Sequence, residues 1–361
     1  MAQWNKKILT VLMEWDYCDP KRGPSMEKEC FYKNLAKLVA NVEPFWYDAY
    51  IDNIPKLQEL LVEKARAYNP DLMFFIPYKN QFSAETLDLL KNKWPTCAWF
   101  GDDTWRFESY SSKLAPYFTH VCTTDIFSVE KYKKIGVEPI LTQWAAQPLA
   151  APSSFAKVSE GRGPAKLLLS EADPAAPLPP GGEYRYAVSF VGAKNSVRSW
   201  FVRVLGDSGI PVECFGHGWP NGKVSQNEMN KIFRGSRINL NLSNSATPDL
   251  RYLVSSPRNF VSYIIANKTS GQIKARNFEI PLAGGFQLTN YVAGLERYFK
   301  IGEEVAVFAT PEECAAQIRY YLANEGERIT IAMAGNARAG REHTYLSRFE
   351  KILSTIWPQK N

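Results

Sequence analysis

Short apolar runs alternate with stretches of helical periodicity from the N-terminus onward. KILTVLM (7–13), VEPFWYD (42–48), DLMFFI (71–76), PTCAWF (95–100) and HVCTT (120–124) predict strands. Between them, residues 26–39, 54–68 and 83–93 place apolar side chains three and four apart and predict helices, the last with Ser83 as its N-cap. Strands separated by helices in this way specify a parallel sheet covered by helices.

The pattern breaks at residues 149–184, which are rich in Pro, Ala, Gly and Ser and read as a linker. It resumes with YAVSFVG (186–192), a helix capped by Ser196, IPVECFG (210–216), a helix over 225–236 and RINLNLS (237–243), a second βαβαβ series. DLRYLVSSPRNFVSYIIANKTSGQI reads as a helical insertion, EVAVFA (304–309) as a strand, and the chain from 311 to Trp357 as helices. The expectation is an α/β protein of two doubly wound, Rossmann-like domains, 1–148 and 185–342, facing a central cleft, with a terminal segment at 343–361.

Composition narrows the classes. A chain of 361 residues is long enough for two cores, and 45% hydrophobic with 22% charged residues describes a soluble globular protein. No apolar run approaches the roughly 20 residues that span a bilayer, and no leader-like start is visible, so the expected compartment is the cytoplasm. Six scattered cysteines without a CxxC pair point to free thiols rather than a disulfide framework or zinc site. The charge is divided: residues 1–150 hold 18 Lys+Arg against 19 Asp+Glu, the remainder 25 against 18. Positive charge confined to the second domain fits a site for an anionic small molecule. The basic residues are dispersed and form no recognised motif, which argues against nucleic acid, while peripheral contact with a membrane surface stays open.

The stretch KARNFEIPLAGG (274–285) carries the most concentrated chemistry. Its apolar positions predict a short helix with Lys274, Arg276 and Glu279 towards the other side, broken by Gly284 and Gly285, which would let a ligand approach the backbone. Glu279 could accept from two ribose hydroxyls while Lys274 and Arg276 face phosphate oxygens. Three loops beyond strand ends join it as candidates. GDDTWR offers Asp102 or Asp103 as a base for an acceptor hydroxyl, or as a helix cap. GAKNSVR offers Gly192, the exposed amides of a helix start, and Lys194 or Arg198 to a diphosphate. GHGWPNG offers His217 between glycines and Trp219 for stacking on a base or sugar. No metal-ligand cluster is visible, so no metal is expected.

The central segment, with VSFVGAKNSVR upstream and AGNARAGREHTYLSRF downstream, resembles the CgeB-like glycosyltransferases of the GT-B fold, from about Trp99 to Phe349. The resemblance implies that a glutamate placed like Glu279 binds the donor ribose, that the terminal helix returns to the first domain, and that His343 is structural. It also implies transfer of a sugar from a nucleoside diphosphate sugar, a co-substrate rather than a cofactor, to a hydroxyl of a glycan, glycoprotein or small molecule. Many retaining relatives carry another glutamate eight positions before the ribose-binding one; here that position is Gly271, which leaves the stereochemical outcome open. Two alternatives remain: a nucleotide-sugar-binding protein without turnover, and a sugar-nucleotide epimerase of similar architecture.

Overall fold

The computed structural model describes residues 3–148, 183–243, 245, 249–265, 268 and 270–358. Contacts divide the chain into two units, one running to Trp144 and resuming at Tyr345, the other covering Ala145–Thr344. Residues 149–182 of the expected linker lie outside the described residues.

The first unit holds a parallel sheet of β1 (Trp4–Leu12), β2 (Val39–Trp46), β3 (Leu72–Phe75), β4 (Thr96–Phe100), β5 (His120–Thr123) and β6 (Pro139–Leu141), in the order β2-β1-β3-β4-β5-β6. β3 and β4 are buried at every position, as strands covered on both faces must be. The predicted helix over 26–39 is shorter and less regular: a π-helical stretch, Glu27–Tyr32, leads into α1 (Lys33–Leu38), and β2 follows directly. Glu27 faces inward there because its carboxylate accepts the Met13 N–H at 2.6 Å, just beyond the end of β1.

α2 (Ile54–Tyr68) follows its periodicity, burying Leu57, Leu61 and Ala65 on one stripe; Asn53 caps its start and Asn69 ends it in the left-handed region. α3 (Ala84–Lys91) is capped by Ser83 as the sequence predicts, and α4 (Val129–Lys134) precedes β6. The terminal helix, Tyr345–Ile356, belongs to this unit. Phe349 packs on Phe31 and Phe74 with ring centroids 5.2 and 5.7 Å apart, and Tyr345 on Phe31 at 5.3 Å.

The second unit holds β7 (Tyr186–Val191), β8 (Glu213–Phe215), β9 (Ser236–Asn241), β10 (Gln287–Asn290) and β11 (Ala306–Phe308), all parallel, in the order β11-β10-β9-β7-β8. Its helices are α5 (Ser196–Asp207), α6 (Gln226–Arg234), α7 (Leu250–Val254), α8 (Pro257–Ile264), α9 (Arg276–Leu282), α10 (Pro311–Ala323) and α11 (Glu325–Glu342). The predicted insertion is thus the pair α7 and α8. His343 is buried among Phe278, Tyr298 and Phe299 and bonds the Tyr298 carbonyl at 2.7 Å, the structural role the resemblance implies. Among the described residues no helix is long and apolar enough to cross a membrane.

The structure corrects the expectation for Asp103. Its side chain is turned into the first unit, where the hydroxyls of Thr123 and Tyr132 donate to Oδ2 at 2.5 and 2.9 Å. A carboxylate enclosed in this way cannot meet an acceptor, and its work is to join the β4 and β5 ends to α4. Burial pushes its pKa up to about 6, against the pull of hydrogen bonds from Ser111, Thr123 and Tyr132. Between its unfolded value of about 4 and that figure, the folded state binds the extra proton, so stability falls as pH rises through this window and stays lower above it. A shift of about two units corresponds to ~3 kcal/mol. We expect Asp103→Asn to remove this loss: in urea unfolding, the variant should gain ~3 kcal/mol on the wild type between about pH 4 and about pH 7. A difference independent of pH would contradict the buried carboxyl.

Candidate active site at the switch point of the second sheet

In the second sheet β7 lies between β8 and β9, so the chain leaves β7 towards one side for β8 and returns on the other for β9. A crevice opens where such a sheet reverses its strand order, beyond the carboxyl ends of the strands. The loop after β7 and the chain after β9 border it, and one side chain spans both. Arg198 donates from Nε and Nη2 to the Leu242 carbonyl at 3.1 and 2.8 Å, and from Nη1 to the Ala193 carbonyl at 2.9 Å. Its guanidinium lies 5.2 Å from the Phe190 ring. These bonds use three of the five guanidinium N–H groups and leave two.

Arg198 is set by the first turn of α5. Asn195, rather than the predicted Ser196, caps this helix, its Oδ1 accepting the Arg198 N–H at 2.9 Å. Ser196 instead meets the Tyr252 hydroxyl at 2.8 Å, fastening α7 to α5. Burial, and then the charge of Arg276, pull the Arg198 pKa down to about 10. Two cations therefore share the crevice region. Arg276 is paired with Glu279 one helical turn on, at 2.8 Å, and its guanidinium lies 5.2 Å from the Phe233 ring. Both partners are largely screened from solvent, with side chains 25% and 18% exposed. Lys274 precedes them, its backbone N–H donating to Asn277 Oδ1. The structure thus brings Gly192, Arg198, Arg276 and Glu279 into one neighbourhood.

The loop 216–222 packs against the loop after β7. Gly216 has φ +124, and a Cβ there would strike the Gly192 carbonyl. The Lys194 N–H donates to the His217 carbonyl at 2.9 Å, and the Trp219 indole N–H to the Gly192 carbonyl at 2.9 Å. Trp219, half-buried, thus holds the β7 loop by its polar edge, and Lys194 Nζ lies 5.2 Å from its ring. The His217 side chain is exposed.

Gly285 is also corrected. It is buried, and a Cβ would come within 2.6 Å of Asn239 Nδ2 and 2.9 Å of the Phe233 carbonyl. The space it leaves belongs to Asn239, whose amide donates to the Phe233 and Phe286 carbonyls and whose Oδ1 accepts from Ser189. Gly284 supplies the turn out of α9, at φ +80. In the first unit, Asp102 is half-buried, and its carbonyl accepts the N–H groups of Trp105 and Arg106.

Sequence reasoning missed a pocket of about 460 Å³ beyond the ends of β9, β10 and β11. Trp200 and Phe201 supply apolar lining, while Arg198, Ser243, Asp249, Asn290 and Thr310 supply polar groups. Gly271 lines it too, and Arg198 is the member shared with the predicted donor residues. Its signals were weak: an Asn closing the strand QLTN, an Asp capping a short helix, and small hydroxyl residues beyond β9. Replacing Gly285 by Ala should cost about 1–3 kcal/mol through overpacking. Denaturant melts check this; an unchanged midpoint would return Gly285 to the list of residues open to ligand.

Residues 198–354 match the family model described as "Glycosyl transferase-like". No curated protein matches the chain. Among solved structures, Anabaena HepE in complex with UDP and glucose superposes with a TM-score of 0.56 at 12% identity, covering 98% of this chain and 99% of that one. Sucrose-phosphate synthase from Thermosynechococcus elongatus gives 0.61 at 10% identity, covering 98% and 99%. A glycosyltransferase from Rickettsia africae gives 0.57 at 10%, covering 99% and 100%. At such identities the likeness is one of fold. The chain has the two-domain GT-B fold over nearly its whole length, and from Arg198 to Ser354 it matches the glycosyl transferase-like family.

Proposed function

We propose that the protein is a glycosyltransferase that moves a sugar from a nucleoside diphosphate sugar to a hydroxyl acceptor. The observation that carries this reading is the pair of guanidiniums at the crevice, Arg198 held on the Leu242 and Ala193 carbonyls and Arg276 bonded to the Glu279 carboxylate, with burial first and Arg276 second lowering the Arg198 pKa. Such a crevice is short of negative charge, and a diphosphate supplies it with oxygens that accept charge-assisted hydrogen bonds. The family match over 198–354, and the UDP and UDP-glucose held by HepE of the same fold, support a nucleotide sugar as that anion.

In this reading the free N–H groups of Arg198, the first amides of α5, Arg276 and Lys274 face the diphosphate, and Glu279 turns towards the ribose hydroxyls. As the glycosidic bond breaks, negative charge grows on the leaving diphosphate, and fixed cations stabilise that state more than the bound donor. The same cations are proposed to do so without a required metal. The pocket of about 460 Å³ beside Arg198 is of a size for the transferred sugar. On the acceptor side, Asp102 remains of the two aspartates, since its neighbour is buried. All six cysteines are free, which fits a reducing compartment such as the cytoplasm.

A thermal-shift screen with UDP, GDP, dTDP and CMP sugars tests the donor. One base class should raise the melting temperature, a ligand at about a hundred times its Kd adding ~2.7 kcal/mol. Arg276→Ala should weaken that donor at least about tenfold through lost charge-assisted bonds. Release of nucleoside diphosphate on adding hydroxyl acceptors separates transfer from binding alone. No shift with any donor, or undiminished binding by Arg276→Ala, would overturn the proposal.

A further inference from the structure

The helix pair α7 and α8 carries a set of apolar side chains that stay exposed among the described residues. Leu250, Val254, Phe260, Val261, Ile264 and Ile265 are each between 50% and 80% exposed. Scattered exposed apolar residues are ordinary, but six within a sixteen-residue stretch form a patch of the kind that marks an interaction surface. The helical period gathers them: Leu250 and Val254 lie four apart on α7, Phe260 and Ile264, and Val261 and Ile265, four apart along α8 and its last turn. The opposite side of α7 is fixed to the domain. Tyr252 is buried, its hydroxyl on Ser196 and its ring centroid 5.7 Å from that of Trp200, so the apolar face cannot turn inward without breaking this attachment.

Charge indicates what covers the face. Residues 249–268 contain three cations, Arg251, Arg258 and Lys268, and one acid, Asp249, while Glu312 of α10 faces Arg251 as a second acid. Asp249 is already paired with Arg251, which also bonds Glu312. Arg258 stands exposed at the head of α8, beside the apolar residues. A second copy of this chain would bring the same cations against themselves. An anionic lipid surface opposes them with negative charge and accepts the apolar side chains below the headgroups, the behaviour of a helix lying in an interface.

We propose that the outer face of α7 and α8 docks the protein on a membrane surface containing anionic lipid. The inference stands apart from sugar transfer and its failure would leave that reading untouched. It is tested by co-sedimentation of the full chain with vesicles of phosphatidylcholine alone and of phosphatidylcholine mixed with phosphatidylglycerol, at low and high salt. The wild type should partition onto the mixed vesicles, more weakly at high salt. Phe260→Ser combined with Ile264→Ser should lose about tenfold or more of this partitioning, and Arg258→Glu about fivefold or more. Melting curves confirm that both variants are folded; if the serine pair unfolds, Arg258→Glu decides the matter. Wild type that stays in the supernatant, or variants that partition like it, would overturn the proposal. So would lipid-free self-association that the serine pair abolishes, because that result assigns the face to a second copy.

Discussion

The second unit depends on how one guanidinium is held between two strand ends. Arg198 bonds the Leu242 carbonyl beyond β9 and the Ala193 carbonyl beyond β7, so the place where the sheet reverses its strand order is closed by a cation rather than by apolar side chains. Burying a cation is costly unless its N–H groups find acceptors. Three find main-chain carbonyls, and the stacking on Phe190 covers part of the rest. Burial, and after it the charge of Arg276, pulls the Arg198 pKa down to about 10. A fold that needed Arg198 only as a tie would gain nothing from a second cation nearby.

Close packing beneath the crevice sets this geometry. Asn239 bonds around the glycine at 285, joining β7, β9 and the start of β10 through Ser189, Phe233 and Phe286. On the other side Gly216 lets its loop touch the Gly192 carbonyl, which Trp219 then fastens. Residues that resemble ligand contacts in sequence thus include several that fix the walls. The contacts proper fall to side chains those walls orient, Arg198 foremost.

Much of the fold was legible because parallel strands buried on both faces are written as continuous apolar runs, such as LMFF and TCAWF, and helices such as Ile54–Tyr68 as a clean stripe. Less could be read of the site. The adjacency of Arg198 and Arg276 is a product of strand order, which periodicity does not encode. The direction of Asp103 depended on hydroxyls at 123 and 132, well along the chain, and Asn195 outcompeted Ser196 as cap by a choice of one position. The pocket beside Arg198 draws small polar residues, Ser243, Asn290 and Thr310, from the ends of three strands and larger side chains from the start of α5, with no motif of their own.

The central claim is that this crevice binds a diphosphate through its cations. Calorimetric titration with UDP, GDP and dTDP, each compared with its parent nucleoside, tests it most directly. At least one diphosphate should bind about a hundredfold or more tighter than its nucleoside, two charge-assisted contacts being worth that much, and the advantage should shrink as salt is raised. Equal affinity for every diphosphate and its nucleoside would contradict the account.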